Sequence, residues 1–362
     1  MMSKTTLQDM VSHVRLPASE KSQSSGRKFL RDPSGMLSCG VLVSIALLAC
    51  LTPLLPLPSP RAVDTSRLLQ PPMSGHWIEE LKDLQRQPGE DESTWIDREW
   101  GRVDGVTAAM LRMRGKIFGS KSLSGILGRD ELGRDLASRL FWGARVSLVA
   151  AGVAAAVSLL VGVFYGATAG WCGGWVDELL MRIVDVLDSI PLIFLVVFLV
   201  TVLGEDSIRL SLDRLGIGRL AVFYLVVGAV SWLSMARIVR GKTIALRGEL
   251  YIEAARASGA LPIRIVARHV IPNLLGTVVV TLSLTVPRVM LFESFLSFLG
   301  LGVQPPDVSW GLLANQGFIA LVPIEPAWWL FVFPSVALAG TLLALGFCGD
   351  AIEYAIDPRR RE

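Results

Sequence analysis

Charged residues stand within otherwise apolar runs of this chain, among them Asp185, Asp188, Arg288 and Glu293. A charge at the bilayer centre costs about 2.5–3.5 kcal/mol on insertion scales, so each of these residues calls for an explanation. Two carboxylates that share a proton can activate water, which is the chemistry of an intramembrane aspartyl protease. That chemistry needs carboxylates facing each other from different helices. Asp185 and Asp188 instead lie three apart on one run, and neither a Ser-His pair nor zinc-ligand spacing accompanies them. Only three histidines exist, His13, His76 and His269, so catalysis is disfavoured. The other use for such residues is a translocation path. Asp185 and Asp188 are expected in the first turns of their span, where water is near. Arg288 is expected about 10 Å inside the outer boundary, at ~1.5 Å per residue, facing the bundle interior or a water-filled path. Glu293 is its candidate partner, although a separation of five puts the two on different helical faces.

A second set of residues lies between apolar runs: Glu253-Ala254-Ala255-Arg256, then Gly259, then His269-Val270-Ile271-Pro272. From Leu246 to Ser258, the residues Leu246, Leu250, Ala254 and Ala257 recur at i, i+4, i+8 and i+11, which predicts a helix with one apolar stripe. Gly259 suits a C-cap with positive φ. Pro262 suits the first turn of a second helix, in which Ile263, Val266, Ala267 and Val270 form another stripe. Arg264 and Arg268 stand together at i,i+4, and Pro272 is expected to break or kink the start of the following span. The product is a helix–turn–helix elbow with a small, alanine-rich tip. Small residues flanked by one carboxylate and several arginines fit a groove on a partner, and short helices transmit a push better than a loose loop. An ordinary connection between spans is the alternative that amphipathicity alone leaves open.

The elements that position these residues are membrane spans. In 362 residues, 52% are hydrophobic and clustered, which argues for a membrane protein over two soluble domains. Six runs approach the roughly 20 residues needed to cross the hydrocarbon core: 36–57, 145–168, 184–203, 219–237, 273–296 and 328–348. Pro191, Pro287 and Pro334 fall inside spans and predict kinks. Small residues crowd the second span (Ala150, Ala151, Gly152, Ala154, Ala155, Ala156, Gly162, Gly166), predicting close helix contact inside the bundle. Lys and Arg cluster in the N-terminal arm, in the 238–271 loop and at Arg359-Arg360-Arg361, while 297–327 has neither. That bias places both termini and the 238–271 loop in the cytoplasm, against a minor contrary signal from Arg209, Arg214 and Arg219. The first span has no A-x-A site after it and reads as an uncleaved anchor. A net charge of +3 gives no support to nucleic-acid binding. The cysteines Cys39, Cys50, Cys172 and Cys348 lack metal-ligand spacing and read as small packing residues.

The domain plan is an arm over 1–35, read as disordered, a first span at 36–57, an extracytoplasmic insert over 58–127, a core over 128–349 and a tail over 350–362. Within the insert, Trp77 to Leu84 and Trp95 to Met113 have helical spacing, suited to capping a pore mouth, touching a partner or resting on the bilayer. Gly128 to Arg139 alternates in charge sign, with Asp135 four before Arg139, predicting a short amphipathic helix at the interface.

Glu-Ala-Ala-x3-Gly-x9-His-x-Ile-Pro, here Glu253 to Pro272, resembles the EAA loop of binding-protein-dependent ABC importer permeases. His269 to Asn273 is similar to the variant found in the dipeptide/oligopeptide/nickel branch. Asp130-Glu131-Leu132-Gly133-Arg134-Asp135 with Phe141-Trp142-Gly143-Ala144-Arg145, and Glu293 to Pro306 followed by Ser309-Trp310-Gly311, resemble two further motifs of that branch. The resemblance covers about residues 124–359 and is nearest the second, C-type, permease subunit. It implies an all-α polytopic membrane protein: six transmembrane helices in a type I importer bundle with a coupling helix at Glu253–Gly259. It also implies a non-catalytic subunit of the inner membrane that translocates dipeptides or oligopeptides. The implied partners are a second permease subunit, two cytosolic ATPases and an extracytoplasmic solute-binding protein. No G-x4-G-K-[ST] occurs, so ATP is expected on the partners, and neither a cofactor nor a metal is expected here. Nickel or another small solute is the alternative cargo, and a non-transport membrane anchor is the distant alternative. Arg288 and the long insert depart from an average member.

Overall fold

The computed structural model describes residues 32–74, 77–80, 91–101, 103–119, 121–203, 205–214, 218–321 and 326–356. Helix α1 (Pro33–Leu51) starts on a cap in which Asp32 accepts from the backbone N–H of Ser34. The predicted arm lies largely outside the described residues. An insert follows: β1 (Ile78–Glu80), α2 (Glu92–Trp100), α3 (Gly105–Phe118) and β2 (Lys121–Leu123). The strands pair antiparallel, Ile78 opposite Leu123. The helix expected from Trp77 is thus a strand where described, and 81–84 lies outside the described residues. The stretch from Trp95 to Met113 is two helices, because Gly101 takes φ +78 and Asp104 caps α3 through the Thr107 N–H.

The second span runs from Leu136 to Cys172: α4 (Leu136–Val157), a π turn at Ser158–Gly162, then α5 (Val163–Cys172). Next come α6 (Gly174–Ser189), α7 (Leu192–Leu203), α8 (Asp206–Arg214), α9 (Arg219–Ser231), α10 (Leu233–Arg247), α11 (Leu250–Ala257) and α12 (Pro262–Ile265). After a π turn at Val266–Val270, α13 (Ile271–Phe298) precedes α14 (Trp310–Ile319) and α15 (Trp328–Ile356). Among the described residues, five helical stretches are long and apolar enough to cross a membrane, and a sixth exists if α6 and α7 count as one bent span. This is the all-α, six-span bundle that the sequence implies.

Four details differ from expectation. The third span is broken and not kinked: α6 and α7 meet at 87°. Ile190, ahead of Pro191, is extended at φ −82 and ψ 123, as a proline demands of the residue before it. Pro272 breaks nothing. The helix from Pro262 to Phe298 is continuous, and the π turn just before Pro272 widens the backbone so that its ring fits. Gly128–Asp135 is a turn and not an amphipathic helix. Gly128 and Gly133 have φ +88 and +70, Arg129 bridges Asp135, and Asp135 caps α4 through the Ser138 N–H. Finally, α15 continues to Ile356 through the expected tail.

Glycine permits a close crossing between the second and fourth spans. A Cβ on Gly162, Gly166 or Gly170 would stand 2.7, 2.3 or 2.7 Å from atoms of α10, so only hydrogen there lets the two helices meet. The insert docks on the start of the second span. Trp100 and Trp142 stack at 5.4 Å, flanked by Arg114 at 5.3 Å from the first ring and Arg145 at 4.9 Å from the second. Burial lowers the Arg114 guanidinium to about 10.

Candidate functional site

The elbow after the fourth span is built from its anchors outward. Gly248, a poor helix former, ends α10, and α11 begins at Leu250, four residues later than the stripe suggested. Ile252 is fully buried, and Ile265 of α12 is 1% exposed. Both enter one apolar core with Val163 and Ala167 of the second span, Met235 and Val239 of the fourth, and Leu274 and Val278 of the fifth. The expected stripes are therefore only partly buried: Leu246 and Val270, at their outer ends, enter this core, while the rest of each stripe is exposed or half-buried. Leu250 is 82% exposed, and Ala254 and Ala257 are exposed with it. In α12, Ile263 is 78% exposed, between exposed Pro262 and Arg264. The reason is that Ile252 and Ala255, one turn apart, take the inner face, leaving the longer apolar stripe outside.

The tip closes on Gly259 at φ +76. The Gly259 N–H donates to the Arg256 carbonyl at 2.9 Å and the Ala260 N–H to the Ala255 carbonyl at 3.1 Å, a Schellman end. The two arms are held by contacts in which Tyr251 and Trp171, given no role in the sequence reading, join Arg256, His269 and Asn273, which it named. Asn273 Nδ2 donates to the His269 carbonyl at 2.7 Å and to Tyr251 Oη at 3.4 Å, while Tyr251 and His269 stack at 6.2 Å. Arg256 lies 4.8 Å over the Trp171 ring, and Arg247 donates to the Trp171 carbonyl at 3.1 Å. Glu253, Ala254 and Arg256 are exposed, Ala255 is half-buried, and Pro272 is exposed at the root of the second arm. The elbow thus presents Leu250, Glu253, Ala254, Leu261 and Ile263 on a rigid, rooted surface. Such a surface can carry force between a partner's groove and three spans.

The other candidate residues fall in three places. Asp185 and Asp188 occupy the last turns of α6, not the first turns of their span, because α6 begins at Gly174. Both pair with Arg237 of α10, at 3.0 and 2.5 Å. One rung below, Arg240 holds Asp177 through two bonds of 2.5 and 2.7 Å. Arg288 is exposed on α13, and among the described residues no ion pair joins it to Glu293. Glu293 is fully buried. It accepts from Ser147 of the second span at 2.9 Å, and from Ser297 and Ser294 of its own helix at 2.9 and 3.3 Å. Ser147 in turn accepts from the Trp310 N–H, and Ser297 from the Val303 N–H, so the carboxylate anchors the following loop. Among the described residues, no group of three or more His, Cys, Asp or Glu could hold a metal ion.

Known proteins share this chain's sequence over most of its length. It is 44% identical over 268 residues, 74% of this chain and 80% of the relative, to the oligopeptide transport system permease protein OppC of Salmonella typhimurium. It is 35% identical over 234 residues, 65% of this chain and 68% of the relative, to the dipeptide transport system permease protein DppC of Bacillus subtilis. A solved inward-facing structure of the MetNI methionine ABC transporter aligns with TM-score 0.49 and 20% identity, covering 61% of this chain and 98% of that one. Residues 158–362, from the π turn of the second span through the elbow to the end, match the model described as binding-protein-dependent transport system inner membrane component. The chain belongs to that family of multi-pass permeases.

Proposed function

We propose that this chain is a peptide-translocating permease subunit of an ATP-driven importer, and that the elbow receives the power stroke. The observation that carries the coupling role is the rooting of Ile252 and Ile265 in a core shared by the second, fourth and fifth spans. A displacement of the elbow is felt at once in all three, since packed cores shift between discrete arrangements and do not yield gradually. The exposed Leu250, Leu261 and Ile263, around Glu253 and the alanines, supply the contact surface. Two cytosolic ATPases close on this elbow and on that of a second permease subunit, rocking the bundle from inward- to outward-open. An extracytoplasmic binding protein delivers the solute. Both termini lie on the cytoplasmic side of the inner membrane, and the chain itself hydrolyses nothing. Peptide cargo follows from the names of the relatives at 44% and 35% identity.

The test is uptake of a radiolabelled tripeptide, with nickel as the comparison solute, in cells whose own importers are deleted. Cells carrying the complete importer take up the peptide. Glu253→Lys abolishes that uptake and the co-purification of the ATPases, while the protein still inserts into the membrane. Normal uptake by Glu253→Lys removes the coupling role, and uptake of nickel without peptide removes the cargo assignment.

A further inference from the structure

The small residues of the second span serve two purposes. Ala150, Ala151 and Ala154 are buried at 0–2% and pack the bundle. Gly152 and Ala156 are exposed, and a Cβ on Gly152 would meet nothing within 4 Å. With Val149 and Val153 they floor a trough of about 610 Å3, walled by Ala46 and Cys50 of α1. At one end the lining changes to Arg145, Thr107 and Asp104. From Arg145 to Ala156 the floor runs about 16 Å at ~1.5 Å per residue, half of a hydrocarbon core of about 30 Å. The trough is therefore one leaflet long, apolar along its length and charged at the outer rim.

The insert helix beside it points the same way. Thr107, Leu111 and Arg114 face inward and are buried. Val106, Met113 and Ile117, at i, i+7 and i+11, are 66%, 55% and 58% exposed, with Met110 between them on the same face. An apolar stripe on a helix at the rim of a membrane bundle lies in the headgroup boundary.

We propose that this trough holds one phospholipid from the leaflet on the insert's side. One acyl chain lies along the second span, and a zwitterionic headgroup sits against Arg145 and Asp104. The charges are complementary. The Arg145 guanidinium has one Nη2 bond to Thr107 Oγ1 at 2.9 Å and keeps other donors for a phosphate. Asp104 accepts from Thr107 and presents an exposed carboxylate for the ammonium. The lipid thereby ties α3 to the first two spans. A helix of the second permease subunit is the competing occupant of such a trough, and the experiment separates the two.

The purified importer, with all its subunits co-expressed, is washed with detergent and weighed by native mass spectrometry. The wild type retains one phosphatidylethanolamine. Gly152→Leu and Ala156→Leu, which fill the trough from its open floor, lose it with unchanged subunit stoichiometry. Arg145→Gln lowers retention about fivefold, the change that about 1 kcal/mol per interfacial basic residue produces. A wild type that retains no lipid, or trough-filling variants that keep it, overturns the proposal. So does release of the second permease subunit by those variants, which assigns the trough to a protein helix. As a second readout, Cys50 is kept as the sole cysteine by Cys39→Ser, Cys172→Ser and Cys348→Ser, and carries a benzophenone maleimide. A phospholipid adduct is expected, and an adduct to the second subunit refutes the lipid.

Discussion

Asp130 holds two guanidinium groups on one carboxylate. Its Oδ2 accepts from Arg134 Nε at 2.7 Å and from Arg139 Nη1, and its Oδ1 takes the N–H groups of Leu132 and Arg134 at 2.9 Å each. Arg139 is 1% exposed and also donates to Gln316 Oε1 at 2.8 Å, so the cluster joins the 128–135 turn, the second span and α14. Removing one member of a buried ion pair strands the other, which costs about 3–5 kcal/mol. Asp130→Ala is therefore expected to lower the melting temperature of the detergent-solubilised protein sharply, with Asp130→Asn falling between because an amide oxygen still accepts. An Asp130→Ala protein that melts with the wild type contradicts this accounting. The sequence suggested a different pair, Asp135 with Arg139 at i,i+4. Alternating charges look the same in a helix and in a turn, and the positive φ of Gly128 and Gly133 decides for the turn.

At the scale of elements, the elbow was legible in kind but not in phase. Gly259 as a positive-φ end and Pro262 as a first-turn residue are local effects, and the backbone takes those states at those positions. Which face of α11 is buried is not local. Leu250 and Ile252 are equally apolar, yet one is 82% exposed and the other fully buried. Periodicity cannot tell a stripe kept for a partner from a stripe kept for the core. The π turn before Pro272 was equally invisible, since it registers only as a shift in which residues face the core. Gly259 permits a clean test of the local part. A Cβ there meets nothing within 4 Å, so any effect of substitution is conformational. A left-handed backbone costs an ordinary residue about 1–2 kcal/mol, less for Asn and more for a β-branched side chain. Peptide uptake is thus expected to fall in the order Gly259→Asn, Gly259→Ala, Gly259→Val, with insertion unchanged in all three. Equal uptake across the series means that the tip does not need its left-handed turn.

For the molecule as a whole, several charges on the helices are exposed and not buried in the bundle. Arg237, Asp185 and Asp188 form a triad whose side chains are 39%, 64% and 49% exposed. Arg288 sits ten residues before the end of α13, about 15 Å from it at ~1.5 Å per residue, and is exposed too. A charge exposed to hydrocarbon at the bilayer centre costs about 2.5–3.5 kcal/mol on insertion scales, so these faces are expected to meet water or protein and not lipid. The triad also bridges α6 to α10, the helix that enters the elbow, so α6 is tied to the root of the elbow. Among the described residues Arg288 has no such bridge, and it is the better probe of a translocation path. If it faces moving solute, Arg288→Leu changes the relative uptake rates of acidic, neutral and basic tripeptides, and Arg288→Lys restores the wild-type order because a cation suffices. Binding of the same peptides to the isolated binding protein serves as the control, since a path residue cannot alter it. If Arg288→Leu leaves the order of rates intact and only lowers the melting temperature, Arg288 has a packing role and the path runs elsewhere.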